Sequence, residues 1–363
     1  MKWVSILLVL LASGHRLRAQ VRSDRVAGAE PVLARLVQSY GVSGMEAPVR
    51  SAVQRLLPQD LSSRTDTAGN LWVIIGKGQP TVVFIAHMDE IGFRITRIRE
   101  DGSLDLAPVG GLFPSLWEGR PALVHTGKST IPAVFMPRDS NQSSTSVRTP
   151  SELRADVGTR SSEGTAALGI EVGNTLTMPK EFVRLANTRA TARSLDDRVG
   201  SAAQLLALRR IDRARLRHTV IFVWSVREEI GLEGAVAVAN MLGARATRVH
   251  AIDTFVSADS PLEPQNFGLA PLGRGAVARA LDNSSVTPPA YLDSLVALAH
   301  ARRISLQVGT TNGGNDGSVF GAYGVPDVPI GWPLRYSHSP AETLDLRDLV
   351  DLSDLIQAIA EQW

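Results

Sequence analysis

Seven residues in five separated segments have the types and spacing of a hydrolytic metal site. His87 and Asp89 stand in His87-Met88-Asp89-Glu90-Ile91-Gly92, and Asp196 in Leu195-Asp196-Asp197-Arg198-Val199-Gly200. Glu228 and Glu229 follow in Arg227-Glu228-Glu229-Ile230-Gly231, Asp253 in Ala251-Ile252-Asp253-Thr254, and His338 in Arg335-Tyr336-Ser337-His338-Ser339-Pro340. Two imidazoles and several carboxylates can hold a pair of divalent ions, with one carboxylate left over as base. The chain has no cysteine, so any metal must rest on histidine and carboxylate.

A hydrolytic site needs a nucleophilic water at neutral pH, and two ions about 3.5–4 Å apart supply one. Asp196 is the expected bridge, because it lies between the other ligands in the chain and opens a helix. His87 with Asp253, and His338 with Glu229, would complete the two sites. Asp89, two residues after His87 on an extended segment, returns to the same side and can hydrogen-bond the free ring nitrogen. In extended geometry Glu228 and Glu229 point to opposite sides, so Glu229 is read as ligand and Glu228 as general base. Taken singly, each segment has an ordinary reading: a structural histidine, an acidic helix start, a solvated Glu-Glu pair. The joint order His, Asp, Glu-Glu, Asp, His favours the site. His125, His218, His250 and His300 are read as structural or surface residues.

The elements that must position these groups are those of an α/β fold. Leu71–Gly76 and Thr81–Ala86 read as buried strands joined by a turn, and His87 falls where the second ends. Thr219–Val226 is a nearly pure strand leading to Glu228 and Glu229, and Val249–Ile252 is a strand ending at Asp253. Val328–Ile330 is a short strand before His338. Parallel strands bring their carboxyl ends to one edge, where ligands collect. Helical spacing marks Arg25–Tyr40, Met45–Leu57, Val199–Leu208, Gly234–Leu242, Tyr291–Arg302 and Leu344–Gln362. Between Arg94 and Met178 the texture changes to short alternating runs rich in Gly, Pro, Ser and Thr, the pattern of a small all-β insertion. Within it, the Ser-rich stretch 139–150 reads as an exposed mobile loop. The expected architecture is therefore a mixed sheet flanked by helices, built from residues 24–94 and 183–363, with a β-rich domain at 95–182 whose two ends lie close together.

The chain has 363 residues, 44% hydrophobic and 20% charged, ordinary for a soluble globular protein. Met1-Lys2, the apolar run Trp3–Ala12 and a small residue at Ala19 have the layout of a secretory signal peptide, residues 1–19. Export to a periplasm or the medium is the corresponding expectation, with no membrane contact after cleavage. Cleavage there removes Lys2, Arg16 and Arg18 and no acid, taking the net charge from +2 to −1. The basic pI is thus no argument for nucleic acid, for which there is neither motif nor basic stripe.

Four of the segments closely resemble the glutamyl- and leucyl-aminopeptidase family of di-metal exopeptidases, the one that includes the tetrahedral and deblocking aminopeptidases. They are Ala86–Phe93, Leu195–Gly200, Glu228–Ala235 and Arg335–Glu342. Pro108–Gly111, Asp156–Gly158 and Leu168–Gly173 are similar to that family's β-rich second domain. The resemblance runs from about Leu33 to the C-terminus. It implies the di-zinc aminopeptidase fold and activity on peptides. It implies His87, Asp196, Glu229, Asp253 and His338 as ligands of two divalent ions (Zn, with Co or Mn as alternatives), and Glu228 as base. It also implies a lid or dimer-forming role for the insertion and assembly into large hollow homo-oligomers, dimer-based and up to a dodecamer. Asp253-Thr254-Phe255, Gly313-Gly314-Asn315-Asp316-Gly317 and Arg227 depart from the family's usual wording, around the substrate pocket.

Some members of that family carry the label endoglucanase, so a glycoside hydrolase is an alternative. Glycosidases need two carboxyls facing each other across the sugar, which adjacent, diverging glutamates do not provide, and only 5% of the chain is aromatic. A non-catalytic relative would be expected to have lost ligands; here all are present.

Overall fold

The computed structural model describes residues 2–138, 149–259 and 268–362, with side chains from Gln20 onward. Helices α1 (Lys2–Val37) and α2 (Ala47–Leu56) lead into strands β1 (Arg64–Thr65), β2 (Leu71–Gly76) and β3 (Thr81–His87). Next come β4 (Gly92–Ile98), β5 (Leu104–Val109), β6 (Pro121–His125), β7 (Thr130–Phe135), β8 (Arg154–Asp156), the short α3 (Ser162–Ala167) and β9 (Thr175–Thr177). The chain returns through β10 (Val183–Arg184), β11 (Arg189–Ala192) and α4 (Leu195–Leu208). It then runs β12 (Thr219–Ser225), α5 (Glu233–Leu242), β13 (Arg248–Val256), β14 (Ala276–Leu281), α6 (Pro289–Arg302), β15 (Leu306–Thr310), β16 (Ile330–Leu334), β17 (Glu342–Asp345) and α7 (Leu346–Gln362).

Eight strands form a mixed sheet in the order β1-β2-β12-β3-β13-β16-β14-β15. Its centre, β12-β3-β13-β16, is parallel throughout. Every residue of β3 is buried, as a strand covered on both faces requires; hence the unbroken Thr-Val-Val-Phe-Ile-Ala run. One face packs Phe84, Phe222 and Leu71 against α1, α4 and α7, and the other packs Ile85, Val223 and Trp72 against α5. Parallel pairing aligns the carboxyl ends of these strands, with His87 opposite Ser225, so the site residues converge at one edge.

Strands β4-β5-β8-β7-β6-β9 close into a barrel with its own core around Phe93, Trp117 and Phe135, whose rings meet edge-on or tilted at 5.2–5.3 Å. The barrel starts at Gly92, earlier than the change of texture at Arg94 suggests. Its first and last strands pair, Phe93 opposite Leu176, so the chain leaves the sheet and returns at one place. Buried Glu90 on the way out and buried Lys180 on the way back form an ion pair at 3.0 Å. The loop tip 139–148, expected to be mobile, lies outside the described residues.

Several expected boundaries move. The helix expected from Arg25 is continuous from Lys2, and Leu344 belongs to β17 rather than to the last helix. Strand β13 does not end at Asp253: it runs to Val256, because its second half pairs with β16, Asp253 opposite Gly331. A Cβ at position 331 would overlap the Asp253 carbonyl, so only glycine permits that approach. The strand expected at Val328–Ile330 is β16, displaced to Ile330–Leu334.

Candidate metal centre

The five segments meet at the carboxyl edge of the sheet, around a cavity of about 460 Å³ lined by His87, Asp196, Glu228, Glu229, Asp253 and His338. Asp196 lies between the two imidazoles: its Oδ1 is 3.1 Å from His87 Nε2 and its Oδ2 3.7 Å from His338 Nε2. His338 Nε2 is also 3.4 Å from Glu229 Oε2, and His87 Nε2 is 4.0 Å from Glu228 Oε2. Ligand atoms of His87, Asp196 and Glu229 all lie within 4.8 Å of one another.

Backbone irregularities aim these groups. Among the described residues seven non-glycine residues have positive φ, and five of them flank the site: Ser194, Arg227, Leu232, Tyr336 and His338 itself. Such left-handed residues cost about 1–3 kcal/mol each and collect where function demands them. Asp196 and Asp197 depart from helical angles at the start of α4, and the peptide between them is cis. Arg227, at φ 55, turns the chain out of β12. Glu228 then begins a turn in which its carbonyl accepts from the Gly231 and Leu232 N–H groups. This overturns the expectation that Glu228 and Glu229 point to opposite sides; the segment is not extended, and both line the same cavity.

Asp89 does more than face His87. Its Oδ1 is 3.4 Å from His87 Nδ1, an ion-pair distance rather than a closed hydrogen bond. The same carboxylate accepts from Ser43 Oγ at 2.6 Å and from the backbone N–H groups of Glu228 and Glu229 at 3.0 and 3.2 Å. It therefore orients the imidazole and the Glu-Glu turn together.

Three groups that carry the geometry were not singled out from the sequence. Glu342 accepts from Leu195 N–H and Asp196 N–H through Oε2, at 2.6 and 3.2 Å, and from His338 N–H through Oε1 at 2.8 Å. Its place four residues after His338, in a segment already recognised, was the available signal. Asp197 receives His87 N–H at 3.0 Å and Gly200 N–H at 2.8 Å. Arg279, from β14, lies 3.3 Å from Asp253 Oδ1 and had no motif to mark it. Asp253 is thus turned to Arg279 and to Thr254 N–H at 2.5 Å, and no direct His87–Asp253 pair forms, although both line the cavity.

The electrostatics are those of a site crowded with negative charge. Burial, reinforced by neighbouring carboxylates, pushes Glu228 and Glu229 well above the usual range and raises Asp253. Burial, then the charge of Asp196, takes Glu342 to about 7. For His87 burial opposes the charged form most, but Asp196, Asp89 and Glu228 outweigh it and hold the imidazolium well above its usual value. Buried carboxylates this close need positive charge among them. The donor set, two imidazoles and oxygen ligands without thiolate, suits zinc and accepts cobalt or manganese.

The sequence matches the M42 glutamyl aminopeptidase family over residues 69–355. It is 26% identical over 340 residues to a glutamyl aminopeptidase of Lactococcus lactis, covering 89% of this chain and 93% of that one. It is 27% identical over 344 residues to a lysyl aminopeptidase of Pyrococcus furiosus, covering 91% and 96%. Among solved structures, the TET1 peptidase of Pyrococcus horikoshii, which can assemble into a tetrahedron or a large octahedral shell, superposes with a TM-score of 0.85. That pair shares 33% identity over 92% of this chain and 100% of the other.

Proposed function

The chain belongs to the M42 glutamyl aminopeptidase family and is a metal-dependent aminopeptidase; from that premise we propose an exported enzyme that removes N-terminal residues from peptides at a two-metal centre. The observation that carries the two-metal reading is Asp196, with one carboxylate oxygen directed to each imidazole. His87 and His338 would be the nitrogen ligands, Asp196 would be shared between the ions, and Glu229 and Asp253 would complete the set. Two divalent ions held there supply a water of lowered pKa and polarise the scissile carbonyl.

The chain's own residues do the rest. Glu228 coordinates nothing in this scheme. It lines the cavity with its Oε2 4.0 Å from His87 Nε2, placed to take the proton of the attacking water and deliver it to the leaving amine. Asp89 fixes the His87 ring and the turn bearing Glu228. Glu342 fixes the backbone of Asp196 and His338. Asp196→Asn tests the shared-ligand role: the variant is expected to bind fewer than two ions per chain and to lose turnover. Two ions with full activity would overturn it.

The glycosidase alternative is disfavoured because each glutamate lies against an imidazole, Glu228 4.0 Å from His87 and Glu229 3.4 Å from His338, the company of a metal site. Export rests on the layout of residues 1–19. Cleavage after Ala19 keeps Arg22 and Arg25, which pin α1 to Asp351 and Asp354 of α7. The barrel is assigned a lid or subunit-contact role, because its Gly111 and Phe113 line the metal cavity. Homo-oligomerisation is supported by the assemblies named for the TET1 peptidase.

A further inference from the structure

Three large apolar side chains line the metal cavity, and the largest comes from the barrel. Phe113, on the loop after β5, lines the cavity and is 57% exposed. Leu232, before α5, and Val256, at the end of β13, line it as well. Gly111 places that loop directly over the metal ligands: a Cβ there would lie 3.2 Å from His338 Nδ1. An open phenylalanine on the rim of a concave polar site is the informative kind of exposed apolar group.

The charged groups of the cavity are all committed elsewhere. Asp196 and Glu229 face the imidazoles, Asp253 faces Arg279, and Glu228 is the base. Arg279 is the only arginine or lysine lining the cavity among the described residues, and it is 2% exposed. Its guanidinium donates to Asp282 at 3.1 Å, to the Gly314 carbonyl at 2.9 Å and to the Thr254 carbonyl, and its Nε is closed off from solvent. An acidic side chain brought into this space would find, among the described lining residues, no arginine or lysine free to pair with it. A lysine side chain would find, among the described lining residues, no carboxylate beyond those of the metal centre. Either is a costly burial of charge.

We infer that this cavity selects an uncharged, apolar N-terminal residue, with Phe113 as the specificity-determining side chain. This rests on the aminopeptidase reading and adds the substrate class to it. The selected class differs from those named for the glutamyl and lysyl relatives. Phe113 acts by contact with the first side chain of the substrate, so its effect belongs to large apolar residues and not to alanine.

The test uses zinc-loaded full-length protein and a panel of aminoacyl p-nitroanilides carrying Leu, Met, Ala, Glu and Lys. The expected kcat/KM for Leu and Met exceeds that for Glu and Lys by at least about tenfold, the scale of hydrophobic-pocket discrimination. Phe113→Ala is expected to lower kcat/KM for Leu and Met about tenfold, mainly through KM, and to leave Ala within about twofold. Phe113→Leu should restore most of the loss. A wild-type preference for Glu or Lys overturns the inference while leaving the aminopeptidase reading intact. Equal losses for Leu and Ala in Phe113→Ala overturn the role of Phe113. No release from any substrate contradicts the aminopeptidase reading, and the inference falls with it.

Discussion

In the proposed two-metal centre Asp196 joins the two halves, facing one imidazole with each carboxylate oxygen, and the groups behind it set the register. Asp89 is the clearest of these, since one carboxylate faces His87 and holds the Glu228–Glu229 turn. Asp89→Asn keeps the size but removes the charge. The expected result is a loss of about 10–100-fold in metal affinity or kcat/KM, typical of partners behind the ligands, read by metal titration and steady-state kinetics. Unchanged values for both would remove Asp89 from the site. At this scale the residues that meet at the cavity were legible because four of the five segments set a chemically capable residue at the end of an apolar strand, while Asp196 opens a helix. What sequence order could not show was direction: Asp253 turned to Arg279, and both glutamates facing one cavity. Those directions follow from contacts between distant segments and from the left-handed backbone at Arg227.

The elements are joined at Glu90, where the barrel departs. Buried Glu90 meets Lys180, Arg193 and Arg198 at 3.0, 2.6 and 3.5 Å, together with Gly41 N–H at 2.6 Å and Ser194 Oγ. Burial opposes its charge, but the three cations outweigh it and hold the carboxylate well below its usual range. Glu90→Gln leaves buried cations uncompensated and is expected to cost about 3–5 kcal/mol, read as a lower urea midpoint at pH 7. Because the folded value is depressed, Glu90 stabilises fully above the unfolded carboxylate pKa of about 4.3. That contribution is lost as pH falls through the folded value, so wild type and variant should converge in acid. A midpoint shift independent of pH would contradict this. Gly331→Ala is expected to part β13 from β16 at Asp253 and to lower both stability and turnover; a variant like wild type in both would show that the strands can yield. Strand β2 could be read residue for residue, since it is a closed apolar run. The end of β13 could not: apolar character breaks at Asp253, while hydrogen bonding continues because β16, far away in the chain, pairs there.

At the scale of the molecule, the sheet carries α1, α4 and α7 on one face and α5 on the other, and the barrel departs from its carboxyl edge. The fold class was legible from alternating strand and helix texture and from the change at the insertion. Barrel closure was not, because it depends on β4 pairing with β9 across the whole insertion. Assembly is expected to be a homo-oligomer built from dimers, read by sedimentation velocity on protein beginning at Gln20; a monomer at micromolar concentration would contradict it. Intact mass of the exported protein is expected to show loss of residues 1–19, and retention of Met1–Ala19 would contradict the signal-peptide reading. The central claim is a two-metal centre with Glu228 as base, and one measurement addresses it directly. Metal-free protein is reloaded with Zn, Co or Mn, and bound metal and amino-acid release are followed together for wild type and Glu228→Gln. The expected result is activity that returns as two ions bind per chain, and a variant that binds both ions yet is silent. A variant that turns over at the wild-type rate with both ions bound, or a metal-free protein with full activity, would contradict the claim.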